Sequence, residues 1–215
     1  KSENIDATFL TSDPDDLDFK MKNSFFIPNP SDSAFERLNN YENDCEKDLF
    51  FAMSHGVHRG ILKKGKFDER EKFINDLIRE LPESKFAQFG MNNFEPVWGS
   101  NYYYYLSNTK MGLNISRGAY QNKYSSDRIS SLMGNGLLVF LDKKTGLQKI
   151  FKDKKEAVFF KDKKELINKI NYYLQNDKER INIARNGCLK YHSKFSNRNV
   201  VKFILTELNF INNKI

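Results

Sequence analysis

Cysteine is almost absent from this chain: Cys45 and Cys188 are its only two, far apart and in no ligand-like spacing. That excludes a disulfide framework and a thiolate zinc cluster, so both read as reduced structural thiols. Histidine is equally scarce. His55 and His58 share one short stretch without a third ligand nearby, weak support for a metal, and one of them can instead act as a base or contact an acceptor. No metal or resident cofactor is expected. No apolar run approaches the ~20 residues of a membrane span, and the start lacks the basic and apolar regions of a signal peptide. The expected location is cytoplasmic. No internal repeat is found.

Charge is plentiful and uneven. The formal net charge is +7, yet residues 1–48 carry five Lys or Arg against twelve Asp or Glu, and the remainder thirty against sixteen. A basic body behind an acidic leader attracts phosphate-bearing partners in general: nucleotide sugars, nucleic acid or anionic lipid. Peripheral attachment to the inner face of a membrane stays open on that ground. Specific nucleic-acid binding would need a clearer basic and aromatic surface and is not expected.

At 215 residues the chain can bury a proper core. Residues 1–48 read as an acidic connector or the remnant of a preceding domain, because TSDPDD and PNPSDS are turn-rich and no helix-length apolar stripe precedes Phe35. Short strands are expected there at 7–10 and 25–27. Residues 49–196 read as the main domain and 197–215 as a closing helix.

Within the main domain, strands are predicted at 48–54, 85–89, 110–116, 137–141 and 156–160. The clearest unit is 110–141. Met111, Leu113 and Ile115 alternate with small or polar residues, Ser125 and Ser126 offer N-caps, and Ile129, Leu132 and Met133 fall at helical spacing. Gly134, Asn135 and Gly136 end that helix, and the apolar run at 137–141 suits a parallel strand covered on both faces. Helices are predicted at 66–81, from Ser100 to Leu106, briefly at 144–151, and after Asp162, whose pairing with Glu165 makes a capping box. Asp177 starts another, stopped by Gly187. On the 66–81 helix only Arg70 is out of character with the apolar face. Alternating strands and helices define the fold class as α/β, a Rossmann-like doubly wound parallel sheet.

Two polar clusters follow strands and would share one edge of such a sheet. In SHGVHRGILKKGK, Gly56 and Gly60 permit close backbone approach, and Arg59, Lys63, Lys64 and Lys66 bring positive charge, although a solvated face is the simpler reading of any one lysine. The second cluster contains Asn114 and Arg117, then Ser125, Ser126, Asp127 and Arg128 at a helix N-terminus, where free N–H groups favour a phosphate. The serines can simply cap the helix, and Asp127 can serve the dipole or accept from ribose hydroxyls. Arg128 can pair with a carboxylate or reach a phosphate. Together the clusters suggest a diphosphate. A non-catalytic α/β module binding a nucleotide or other anion is the alternative to an enzyme.

The PNP turn at 28–30, SHGVHRG after a strand, SSDRISSLMGNGLLVF, and the tail EAVFF, DKKELINKI and NDKERINIARNG resemble, in that order, the C-terminal domain of GT-B-fold glycosyltransferases, particularly the CgeB-like group. The resemblance covers about residues 25–205. It implies a domain that holds a nucleoside-diphosphate sugar for transfer to a glycan or lipid-linked acceptor. An N-terminal Rossmann-like domain binding that acceptor is expected to be missing, leaving the chain weak or inactive alone. Arg128 matches the family's helix arginine and Gly136 its glycine before the strand, while Arg59 and Lys64 fall where the donor diphosphate is met. The chain departs from the retaining pattern of two glutamates eight positions apart, placing Lys123 and Ser131 there.

Overall fold

The computed structural model describes residues 5–18, 21–54, 69–117 and 121–212. Two short strands, β1 (Thr8–Leu10) and β2 (Ser24–Phe26), pair in parallel ahead of the main sheet. That sheet contains β3 (Lys47–Ala52), β4 (Phe86–Phe89), β5 (Thr109–Asn114), β6 (Leu138–Asp142) and β7 (Val158–Phe160), in the order β4-β3-β5-β6-β7 with every neighbouring pair parallel. The chain builds outward from β3 to β4, then returns to add β5 on the other side. The winding therefore reverses between β3 and β5, the point where doubly wound sheets open a crevice at their strand C-termini.

Among the described residues the helices are α1 (Glu69–Glu80), α2 (Gly99–Ser107), α3 (Asp127–Gly134), α4 (Lys163–Gln175), α5 (Asp177–Phe195) and α6 (Asn197–Asn212). Period-two alternation sends Leu49 and Phe51 to one face, with Ile74 and Leu77 of α1 and Leu166 and Ile170 of α4. Phe50 goes to the other, with Leu106, Ile129 and Leu132. β6 is buried throughout, Leu138 and Phe140 on the first face and Val139 and Leu141 on the second. That double burial is why 137–141 lacks polar alternation. Among the described residues no helix is long and apolar enough to cross a membrane.

Gly112 of β5 sets how closely α3 can approach. A Cβ there would lie 2.6 Å from Leu132 Cδ2, so α3 seats its leucine against bare backbone. Both thiols are free and buried, and burial pushes Cys188 up to about 11.

The leader is fastened to the body at several points. Phe9 and Phe25 stack at 5.5 Å and both meet Phe203 of α6 edge-on. Ser31 N donates to Phe195 O at 2.9 Å, Tyr191 Oη to Asn29 O at 2.7 Å, and Asn40 Nδ2 to Leu106 O at 2.7 Å and Thr109 O at 2.8 Å. Lys123 pairs with Asp13 at 2.7 Å, joining basic body to acidic leader.

Most predicted boundaries shift by one or two residues, and two predictions differ in kind. Residues 144–151 form two 3₁₀ turns, Lys143–Thr145 and Leu147–Lys149, divided by Gly146 at φ 67°. Gly187 does not stop its helix: α5 runs through it to Phe195, and the chain turns extended at Ser196. The physical reason is close approach. A Cβ on Gly187 would stand 2.3 Å from the Glu156 carbonyl oxygen, so the glycine admits backbone where a side chain would clash. Gly187→Ala should therefore lower stability by about 1–3 kcal/mol, read by urea denaturation, although alanine is the better helix former.

The predicted pair caps the start of α4, with the return bond from Glu165 falling one residue before the N-cap Asp162. Asp162 Oδ1 accepts from Glu165 N at 2.8 Å, and Glu165 Oε2 accepts from Lys161 N at 2.8 Å. Lys169, 2.9 Å from Glu165, is the main reason its carboxyl falls from 4.5 to about 2. A depressed carboxyl contributes stability that is present above 4.5 and lost as pH falls towards 2. Glu165→Gln should be less stable at neutral pH, and denaturation at stepped pH should show the two proteins converging across that window.

Candidate functional site at the winding reversal

The crevice between β3 and β5 is spanned by one side chain. Arg128, in the first turn of α3, donates through Nη1 to Ile115 O and through Nη2 to Ala52 O, each at 3.1 Å. Its guanidinium carbon lies 5.1 Å from the centre of the Phe51 ring. Leu132 lies one turn further along α3, so the Gly112 contact holds the helix where this reach is possible. Burial, then the nearby Arg70, pushes the guanidinium below its usual range, yet an arginine stays charged. Among the described residues no carboxylate forms an ion pair with it. Its two backbone bonds use two of five N–H donors.

Above Arg128 opens a cleft of about 440 Å³. The end of β3 and its following residues (Ala52, Met53, Ser54) form the floor, and Arg70, Asp127, Arg128, Ser130 and Ser131 one flank. Val97, Trp98, Gly99, Tyr102, Tyr103 and Glu36 form the other. Tyr102 packs edge-on to Phe50 at 5.2 Å and accepts from Ser131 Oγ at 3.2 Å. Tyr103 donates to Glu36 Oε1 at 3.1 Å, and burial followed by the Glu36 charge raises its phenol to about 12. Trp98 is 60% exposed at the rim. Cations at the strand ends, hydroxyls on the flanks and an open indole suit an anionic, partly aromatic ligand.

The residues singled out from sequence divide into four groups. Asp127 and Arg128 line the cleft. Asn114, Ser125 and Ser126 lie behind it, buried and bonded within the protein: Ser126 Oγ donates to Asn114 Oδ1 at 3.0 Å and makes no cap bond, while Ser125 Oγ accepts from Asn29 N at 3.0 Å. Arg117 is exposed beyond β5. Gly56, Arg59 and Lys64 lie outside the described residues.

Lys123 and Ser131 also separate. Ser131 faces the cleft, whereas Lys123 is held by Asp13. Sequence reasoning passed over Glu36, Trp98 and Arg70. The isolated charge of Arg70 on an otherwise apolar helix face was a usable signal for one of them; Glu36 carried none.

The sequence model of the family described as glycosyl transferase-like matches residues 69–206, well over half the chain. The chain belongs to that family. Its fold is the Rossmann-like C-terminal domain of GT-B glycosyltransferases, shared with the solved structures it resembles. A sucrose-phosphate synthase from Thermosynechococcus elongatus is 14% identical with a TM-score of 0.63, covering 99% of this chain and 60% of its own. TarM is 14% identical with a TM-score of 0.66, covering 97% and 44%. Anabaena HepE, solved in complex with UDP, is 12% identical with a TM-score of 0.58, covering 86% and 57%. The chain thus spans between 44% and 60% of the length of these structures. No curated protein sequence matches it.

Arg128→Met should cost about 1.5–3 kcal/mol in a urea titration, because two strand-end carbonyls lose a charged donor. Arg128→Lys should restore only part of that, an ammonium being a point donor rather than a fork.

Proposed function

We propose that the chain is the donor-binding domain of a glycosyltransferase, holding a nucleoside-diphosphate sugar in the cleft above Arg128. The observation that carries this is the partly buried cation spanning Ala52 and Ile115, unpaired by any described carboxylate, in a domain of the glycosyl transferase-like family. When the bond from the sugar's anomeric carbon to the diphosphate breaks, negative charge grows on the leaving oxygen. Fixed guanidinium donors stabilise that charge without rearranging, so Arg128, with Arg70 beside it, is placed to lower the barrier. The chain's own cations neutralise the diphosphate in this reading, and no metal is invoked. Arg59 and Lys64 would add charge from the stretch after β3.

Membership of the CgeB-like group is favoured by the motif order from the PNP turn to the closing helix. The partial coverage of longer glycosyltransferases favours an acceptor-binding Rossmann-like half outside these residues. The acceptor would be a glycan or a lipid-linked carrier, and the place of action the cytoplasm or the inner face of a membrane.

Calorimetry with a panel of nucleoside diphosphates and their sugars tests the proposal. At least one should bind by low millimolar concentration, and Arg128→Lys should weaken it by about 1.5–3 kcal/mol, the value of a charged hydrogen bond. No binding across the panel, or an affinity untouched by the substitution, refutes it.

A further inference from the structure

Arg128 accounts for one end of the cleft. At the other end of α3 stands a carboxylate from a distant part of the chain. Glu36 reaches the cleft wall because Gly134 lets it: a Cβ on Gly134 would lie 2.8 Å from both Glu36 Cβ and Cγ. Two donors then orient the head, Asp32 N to Oε2 at 2.7 Å and Tyr103 Oη to Oε1 at 3.1 Å. Each oxygen takes one such bond, and a carboxylate has about four acceptor sites, so acceptor capacity remains on both. Among the described residues no lysine or arginine forms an ion pair with it. A carboxylate held by neutral donors, lining a cleft and unpaired, is arranged to accept hydrogen bonds from a ligand.

The spacing narrows the ligand group. Arg128 and Gly134 are six residues apart on one helix, a rise of about 9 Å. That is comparable with the reach from a diphosphate to the hydroxyls of a sugar ring attached to it. Asp127 is set apart from that role by position, since it stands in the first turn of α3 beside Arg128, at the phosphate end.

We propose that Glu36 is a specificity residue, accepting hydrogen bonds from a vicinal diol joined to the diphosphate. The inference rests on the donor-site reading above. The diol can belong to the ribose or to the donor sugar, and both present the same chemistry.

Calorimetry on the protein separates them. Wild type should bind a ribonucleoside diphosphate, and inorganic pyrophosphate should bind wild type and Glu36→Gln alike. If the diol is the ribose, wild type should prefer the ribonucleoside diphosphate over its 2′-deoxy analogue by roughly tenfold to hundredfold, and Glu36→Gln should lose that preference. If it is the donor sugar, the lost preference should be that for the nucleotide sugar over the nucleoside diphosphate. The wild-type ratios do not depend on how the variant folds. Wild type indifferent in both comparisons, or a variant retaining every wild-type preference, overturns the role of Glu36 and leaves the donor-site reading standing. Failure of wild type to bind any nucleoside diphosphate overturns both.

Discussion

One side chain bridges the place where the sheet changes direction. Arg128 ties the carbonyl of Ala52, which ends β3, to that of Ile115, just beyond β5. Those strands are neighbours only because the chain winds first one way and then the other. Withdrawing a guanidinium from water is expensive, and here the cost is offset by two charge-assisted bonds and the face of Phe51. The strand-end carbonyls take up only part of its hydrogen-bonding capacity, so a unit charge and free donors remain for the cleft. The same contact that organises the crevice therefore supplies its electrostatics.

That dependence runs backwards into the packing. α3 can place Arg128 over the strand ends because Gly112 accepts Leu132 against its backbone. Gly136, at φ 81° and with Tyr41 and Asn40 pressed against it, then returns the chain from α3 into β6 within a few residues. Asn135 secures the same corner, its side chain bonding Leu38 N and Ser131 O. The acidic leader thereby becomes part of the cleft wall. Ion pairing between the leader and the basic body is local, as in Asp13 with Lys123 and Asp48 with Lys110; side-chain and backbone hydrogen bonds and aromatic contacts make the rest of the attachment.

What could be read from the chain followed from how local each signal is. The continuous apolar run that became β6, the alternation in β5 and the Asp162–Glu165 capping box depend on neighbours a few residues away, and each appears in the structure. Gly187 shows the limit. A glycine that stops a helix and one that admits another backbone look the same in sequence, and only the position of Glu156 separates them. Ser125 and Ser126 show a second limit. Their type fits a helix N-terminus, but Asn29 and Asn114, distant or on another element, claim their hydroxyls. Glu36 was illegible for the same reason: its place in the cleft is created by Gly134, nearly a hundred positions later.

The separation of Lys123 from Ser131 decides which charges line the cleft. Where the related pattern has two glutamates, one position now carries a lysine turned to Asp13 and the other a hydroxyl bonded to Tyr102. Taken alone, those changes would leave the flank of the cleft beyond Arg128 without a carboxylate. The fold restores one from the leader, oriented by Asp32 and Tyr103 rather than by α3 itself. A carboxylate carried on α3 would move with the helix that carries Arg128. One carried on the leader holds its distance from Arg128 only while the leader stays docked, so attachment of the leader becomes a condition of the site's geometry rather than a surface detail.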